Sequence, residues 1–288
     1  EMLSLLHRGQ IMLDVGDPIQ VSIGQFYGIE INDFAVTVAK TALWIAESQM
    51  MKETEDVVHM SLDFLPLKSY ANITEGNALQ VDWASVVSKH ELNYIMGNPP
   101  FVGYSLQSKA QKNDILSVYV DEKGKPYKTA GKIDYVSGWY FKAAQLMQGT
   151  AVRTAFVSTN SITQGEQVAG VWKPLYERFG IHIDFAHRTF RWDSEASIKA
   201  HVHCVIVGFS NEPNPAPKRI YTTERYQEVE NINPYLLDAP NVFIDSRTNS
   251  ICNVPQMVYG NKPTDGGFLF LSPEERDELL KREPGTEK

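Results

Sequence analysis

Asn98-Pro99-Pro100-Phe101 places an amide, a rigid carbonyl and an aromatic ring side by side, directly after the apolar run Tyr94-Ile95-Met96 and Gly97. The run predicts a short buried strand, and two consecutive prolines end it because neither can donate to a sheet ladder. The four residues therefore fall at the carboxyl end of a strand, where open α/β sheets bind ligands. This set suits a flat substrate with an exocyclic amino group, such as adenine. The lone pair of that amine is delocalised into the ring, which makes it a poor nucleophile. Two acceptors aimed at its hydrogens, the Asn98 side-chain oxygen and the Pro99 backbone carbonyl, favour a more pyramidal and more nucleophilic nitrogen. Phe101 is placed to stack on the ring, and an adenine in duplex DNA must first be flipped out. The bland alternative is an ordinary strand-ending turn, since Asn and Pro are common turn residues. An Asn-Pro-Pro-aromatic sequence after an apolar strand is much rarer than a generic turn.

The elements that position this turn are legible from periodicity. Glu1 to Gly9 reads as the tail of a helix, with Gly9 as a C-cap. Gln25 to Glu30 reads as a strand, and Asn32 as the N-cap of a helix whose apolar positions Ala35, Val38, Ala39, Ala42, Leu43, Ile45 and Ala46 recur at helical spacing. Residues 51–70 read as a connection. A strand around Ile73 leads to the Gly76-Asn77 turn, and Asp82 caps a brief helix. After the Asn98 turn, residues 102–131 are polar and rich in Lys and Gln, with a helix near Gln111 to Val120. This insertion reads equally as a lid or DNA-contacting loop and as a flexible surface excursion. Helices are predicted at Ile133–Met147 and at Ser161–Phe179, the latter ended by Gly180 and carrying Pro174 as a potential kink. Val152–Ser158, Ile181–Ala186 and Val202–Phe209 read as strands, the last two apolar enough to be central. Asn211 to Lys218 holds three prolines and reads as a linker, and Ser272-Pro273-Glu274-Glu275 is a helix start. Strands thus alternate with helices until the last two. That order predicts an α/β fold with a mostly parallel open sheet and one antiparallel strand near an edge. Gln25–Glu30, Tyr94–Met96 and Val152–Ser158 are expected to be parallel, with Glu30 and Asn98 at the same edge. A strand-ending carboxylate such as Glu30 can accept from both ribose hydroxyls of a nucleoside cofactor, or it can simply complement a helix N-terminus.

The Asn-Pro-Pro-Phe turn resembles the catalytic motif of S-adenosylmethionine-dependent amino-methyltransferases of the adenine-N6 group. Phe26-Tyr27-Gly28-Ile29-Glu30 resembles that family's second strand, and Gly76-Asn77-Ala78-Leu79 the turn after its third. Gly97 to Gly103, His187-Arg188-Thr189-Phe190-Arg191-Trp192 and Ala200-His201-Val202-His203-Cys204-Val205-Ile206 resemble the methyltransferase part of type II restriction-modification enzymes of the MmeI type. The likeness runs from about Gln25 to Ser210. It implies a Rossmann-like class I methyltransferase sheet and S-adenosyl-L-methionine as cofactor. The substrate it implies is double-stranded DNA with a flipped adenine. Asn98, Pro99, Pro100 and Phe101 are then the catalytic residues, and Glu30 and Asn77 hold the cofactor. The family often has Asp where this chain has Asn77, and Asn77 as a plain turn former is the competing reading. Phe34 borders the cofactor or is a buried helix residue, the latter being the better expectation. Phe190 or Trp192, in a loop between strands, stacks on the base opposite Phe101, unless both merely pack beneath the loop. Arg188 and Arg191 are placed to hold phosphates. Methyl transfer is a direct in-line displacement and implies no metal.

The resemblance also implies a Gly-rich loop ahead of Glu30. Asp14-Val15-Gly16-Asp17 is only a superficial echo of one, with a single glycine and too little room before Gln25. The chain therefore reads as beginning after the family's first, central strand, which makes the fragment alone an expected weak cofactor binder without activity. Asp265 to Pro284 resembles the opening of a DNA-recognition region. The expected organisation is a catalytic domain over 1–210, a connector over 211–264 and the start of DNA recognition over 265–288, joined to the remaining domains of a parent polypeptide.

Composition sets bounds on these readings. A chain of 288 residues with 43% hydrophobic content and net charge −8 is globular but not globally basic. DNA binding then needs local patches: Lys109 and Lys112; Lys123, Lys125 and Lys128; His187, Arg188 and Arg191. The two cysteines, Cys204 and Cys252, form no disulfide or metal pattern, which points to a reducing cytoplasm. No apolar run spans a bilayer, and there is no signal-peptide pattern. The Asn-Pro-Pro-aromatic turn also occurs in methyltransferases acting on RNA or on a protein glutamine amide. A non-catalytic DNA-binding fragment is the third reading.

Overall fold

A computed structural model describes residues 21–58, 71–192, 202–223, 225–247, 252, 254–255 and 270–287. The expected helix over Glu1–Gly9 and the segment Asp14–Asp17 lie outside these residues. The chain forms two compact units, Glu1–Asp245 and Ser246–Lys288.

In the first unit, β1 (Tyr27–Glu30) and β2 (Asn72–Glu75) form a two-stranded parallel ladder joined through α1 (Asp33–Val58). Helix α1 starts where the sequence places its cap: the Asn32 side-chain oxygen accepts from the Ala35 amide at 2.9 Å. It runs through residue 58, eight residues into the stretch read as a connection. The predicted apolar stripe forms the helix without being covered, and Val38 and Ile45 are exposed. Phe34 is 73% exposed, which overturns its expected burial.

The second sheet has six strands: β3 (Tyr94–Gly97), β4 (Arg153–Thr159), β5 (His182–Trp192), β6 (Val202–Ser210), β7 (Lys218–Tyr221) and β8 (Tyr226–Val229). Their spatial order is β3-β4-β6-β5-β7-β8. β3 is parallel to β4 and β5 to β7, while β6 runs antiparallel to both β4 and β5. The sheet is therefore mixed, and the antiparallel strand expected near an edge is an interior one. The reason is that only nine residues separate β5 from β6, fewer than the dozen or more that a parallel crossover needs. The hairpin β7–β8 then extends the sheet just beyond the proline-rich Asn211–Lys218 stretch, within the expected connector over 211–264. β1 and β3 share no ladder, so the single sheet expected to contain both is divided among the described residues.

The core lies between this sheet and the helices α3 (Lys109–Val118), α4 (Ser137–Leu146) and α5 (Gly165–Phe179). Strand β4 alternates, burying Thr154, Phe156 and Ser158. Tyr140 on α4 meets that face, with its ring 5.2 Å from Phe156 and its hydroxyl 2.8 Å from Ser158 Oγ. Trp172 on α5 is fully buried 5.3 Å from Tyr140, and its indole N–H donates to the Ile162 carbonyl at 2.8 Å. Helix α5 passes through Pro174 and ends at Gly180, whose φ of 63° is the left-handed conformation that glycine adopts without strain. Gly208 on β6 admits the Phe185 ring, since a Cβ there would lie 2.1 Å from it.

The insertion after the Asn98 turn is not a loose excursion. Ser108 and Gln111 form a capping box at the start of α3. Ile115 and Tyr119 are fully buried, so the segment is part of the core. A short α2 (Trp83–Val86) begins at Asp82, whose carboxylate accepts from the Ala84 amide at 3.0 Å. In the second unit, α6 (Pro273–Arg282) has Ser272 as N-cap, with a capping box to Glu275. No helix among the described residues is long and apolar enough to cross a membrane.

Candidate active site

Strand β3 delivers the Asn98 turn. Gly97, its last residue, is paired with Phe156 of β4, so Asn98 leaves the sheet at the carboxyl end of two parallel strands. Asn98 is exposed, Pro99 buried and Phe101 half-buried. The chain beyond Phe101 is clamped to the segment before α4. The Tyr135 amide donates to the Val102 carbonyl at 2.9 Å, and Gln107 Nε2 donates to the Ile133 carbonyl at 2.9 Å. The Tyr104 amide donates to Asp134 Oδ1 at 2.9 Å, while Ser161 Oγ donates to Asp134 Oδ2. Asp134 is buried, and its own amide donates to Gln167 Oε1 at 3.1 Å. One carboxylate thus ties the exit of the Asn-Pro-Pro-Phe turn to the turn that follows β4.

Beside this junction is an open cleft of about 660 Å³, bordered by Gly103, Asp134, Thr159, Asn160, Ser161, Gln164, Thr189 and His203. That volume is in the range of small-molecule sites. β5 reaches the cleft through a bulge. Three steps from His187 to Phe190 match two steps from Ile206 to Cys204 on β6. The extra residue re-aims the strand at Arg188 and Thr189, as bulges do. Phe190, Arg191 and Trp192 then continue the ladder opposite Cys204, His203 and Val202, so the two aromatics sit in a strand and not in the loop expected for them. Phe190 is half-buried, and Arg188 and Arg191 are exposed. Arg188 also borders a second concavity of about 480 Å³ with Arg225. His187 stacks on Tyr221 at 4.5 Å, and burial holds its imidazole below the usual histidine range. Cys204 is buried, as its apolar strand suggests.

The other candidates lie on the β1–β2 ladder. Glu30 ends β1, and its carboxylate accepts from the Asn32 amide at 3.0 Å. The Gly76 amide donates to the Glu30 carbonyl at 2.8 Å, which sets the Gly76-Asn77 turn beside it. Asn77 Oδ1 accepts from the Leu79 amide at 3.0 Å, and its Nδ2 donates to Asp114 Oδ2 at 3.0 Å. The structure thus brings Glu30 and Asn77 together at one strand end. It places Asn98 to Phe101 at the carboxyl end of β3, with Thr189 of the β5 bulge bordering the adjoining cleft. Of the proposed basic groups, Lys109 and Lys112 are exposed on α3, and Lys123 and Lys125 are exposed on a turn whose amides bind Asp121 Oδ1. Among the described residues no group of three or more His, Cys, Asp or Glu could hold a metal.

Asp134 and Asp114 escape sequence reading, because each is a lone acid in a polar stretch and its partners lie far along the chain. Asp134→Ala is expected to leave the Tyr104 amide and the Ser161 hydroxyl without their acceptor. The cost should be about 1–3 kcal/mol of unfolding free energy. Urea denaturation followed by circular dichroism checks this, and an unchanged midpoint would show that the clamp is dispensable.

Comparison with known proteins shows the family. Residues 3–222 match the family described as "MmeI, DNA-methyltransferase domain", and residues 238–288 match "MmeI, target recognition domain". The chain is 41% identical over 267 residues to DNA methyltransferase A of Bacillus subtilis (strain 168), covering 92% of this chain and 30% of the relative. The solved structure of the type IIL restriction-modification enzyme MmeI in complex with DNA superposes with a TM-score of 0.85 at 42% identity, covering 99% of this chain and 39% of that one. The chain therefore spans about a third of the length of these two relatives. With more than half of its residues matched, the chain belongs to the MmeI DNA-methyltransferase domain family, followed by a stretch of the family's target recognition domain.

Proposed function

We propose that this chain transfers a methyl group from S-adenosyl-L-methionine to the N6 amino group of adenine in DNA, as part of a restriction-modification enzyme. The observation that carries the reading is the Asn98-Pro99 pair at the carboxyl end of β3, in a segment that borders an open cleft of about 660 Å³ at Gly103. The MmeI relative was solved with DNA, which supports a duplex substrate.

The residues at the end of β1 fit a nucleoside cofactor. Glu30 makes one hydrogen bond to its own helix start, and a carboxylate retains further acceptor capacity for two ribose hydroxyls. Phe34, exposed in the first turn of α1, offers an apolar border. Asn77 offers the remaining lone pair of its side-chain oxygen to an adenine amine. When bound, the cofactor supplies an electrophilic sulfonium methyl group.

The chain's own residues do the rest. Asn98 Oδ1 and the Pro99 carbonyl accept from the two hydrogens of the target amine, hold its lone pair toward the methyl carbon and stabilise the charge that develops on nitrogen. Phe101 stacks on the base, and an aromatic of β5, Phe190 or Trp192, covers its other face. Each stack on a flipped base contributes about 1–3 kcal/mol. Arg188 and Arg191 hold backbone phosphates beside the opening. Burial of Pro99 and the Asp134 clamp keep the acceptors in place before substrate arrives.

The test is tritium transfer from labelled S-adenosylmethionine to duplex DNA by the full-length protein, followed by nucleoside analysis. Label in N6-methyladenine is the expected result. Label in cytosine, in RNA only or in protein would reject the assignment.

A further inference from the structure

Asp114 lies on α3, in the segment that follows the Asn98 turn, yet its side chain reaches back to the Gly76-Asn77 turn. It is 6% exposed. Three neutral side chains donate to it: Asn77 Nδ2 at 3.0 Å and the Tyr135 hydroxyl at 2.8 Å to Oδ2, and Gln80 Nε2 at 2.8 Å to Oδ1. No cation forms a salt bridge with it among the described residues. Burial, and then Asp114 itself, push the Tyr135 hydroxyl well above the ordinary tyrosine range, which keeps it a donor. A carboxylate held by neutral donors alone is a costly thing to bury, and the core offers no reason for it.

The consequence falls on Asn77. A side-chain amide has an acceptor end and a donor end of nearly equal shape, and its neighbours decide which end faces a ligand. Here the Leu79 amide can only donate and Asp114 can only accept. The Asn77 oxygen therefore faces Leu79, and its nitrogen faces Asp114. The reversed amide would set oxygen against carboxylate and N–H against N–H. An aspartate at this position would present acceptors alone without help. An asparagine presents a defined acceptor only when its neighbours fix which end is which, and here Asp114 reinforces at the nitrogen what the Leu79 amide favours at the oxygen.

We propose that Asp114 is a positioning residue that fixes the Asn77 amide with its oxygen toward the exocyclic amino group of the cofactor's adenine. It thereby makes the site selective for adenosyl over 6-oxo (inosyl) cofactors. The proposal rests on the assignment of Asn77 to the cofactor's adenine. It also gives the insertion after the catalytic turn a part in cofactor recognition, through α3.

The experiment measures equilibrium binding of S-adenosylhomocysteine and S-inosylhomocysteine to the full-length protein by titration calorimetry. Wild type is expected to prefer the adenosyl compound at least roughly tenfold, because a site built around an acceptor leaves it unpaired against a 6-oxo group. Asp114→Asn is expected to lower the preference several-fold, since an amide at 114 no longer dictates which end of Asn77 it meets and only the Leu79 amide still favours the wild-type orientation. The double variant Asn77→Asp/Asp114→Asn exchanges the two groups, keeps the net charge, and places a pure acceptor at 77 held by an amide donor. It is expected to restore the preference, a rescue that a purely structural role would not produce. Thermal melts accompany each titration. If Asp114→Asn does not fold, the double variant decides, and a folded double variant without preference overturns the proposal. Full preference in Asp114→Asn alongside its loss in Asn77→Ala overturns the role of Asp114 alone. Full preference in Asn77→Ala overturns the assignment of Asn77, and the proposal with it.

Discussion

Asn98→Ala in the full-length protein is expected to lower methyl transfer by roughly three orders of magnitude, as loss of one preorganised polar group at a reacting centre does. The exposed Asn98 side chain contributes nothing to the core, so the melting temperature should stay within about 2 °C of wild type. DNA affinity should change little, because phosphate contacts supply most of it and the target amine contributes only at the reacting centre. Single-turnover transfer and DNA binding at matched salt separate the two effects. Transfer at near wild-type rate would remove Asn98 from the chemistry. A parallel loss of DNA affinity would make it a binding residue instead. Asn98→Asp is a useful companion. It keeps two acceptors but adds charge beside an amine that must become partly positive, and it is expected to retain more activity than alanine.

Trp172→Ala should produce the largest change in stability. The indole is fully buried against Tyr140, and its N–H is the partner of the Ile162 carbonyl. Removing a buried tryptophan costs about 3–5 kcal/mol, a large share of the 5–15 kcal/mol typical of a folded domain. Trp172→Phe keeps most of the volume and loses the hydrogen bond, and is expected to cost about 1–2 kcal/mol. The effect should reach the site, because Ile162 belongs to the Asn160–Thr163 turn that borders the cleft through Asn160 and Ser161. Chemical denaturation read by far-ultraviolet circular dichroism measures the cost. A loss below about 1 kcal/mol for Trp172→Ala would mean that the core does not depend on this contact.

Much of the local structure was legible because it is built from partners a few residues apart. Asn32 with Ala35, Asp82 with Ala84 and Ser272 with Glu275 each close a cap within four positions. Proline and glycine signals placed the end of β3 and the end of α5 for the same reason, since they act on their own backbone. The Asn98 turn was legible as chemistry because its acceptors are consecutive in the chain. Its setting at a strand end followed from the prolines.

Pairing between distant segments was decided elsewhere. The apolar run Val202–Phe209 suits a central strand but does not say which neighbours it takes. Its position between β4 and β5 follows from which ladders and which aromatic faces, Tyr140 and Phe156 among them, it can satisfy at once. The bulge at Arg188 and Thr189 arises from a register that only the partner strand defines. The apolar stripe of α1 announced a helix correctly but not its exposure, because periodicity reports which residues share a face and not what lies opposite. Asp134 and Asp114 gain their importance from partners 21 to 37 residues away, Tyr104, Ser161, Tyr135, Gln80 and Asn77. The sequence by itself determined the helices, several of their caps, most strands and the Asn-Pro-Pro-Phe turn, whose causes are local. Only the tertiary structure decided the strand order, the cleft and the two buried carboxylates. Each of those depends on contacts whose free energy exists only once distant segments have met.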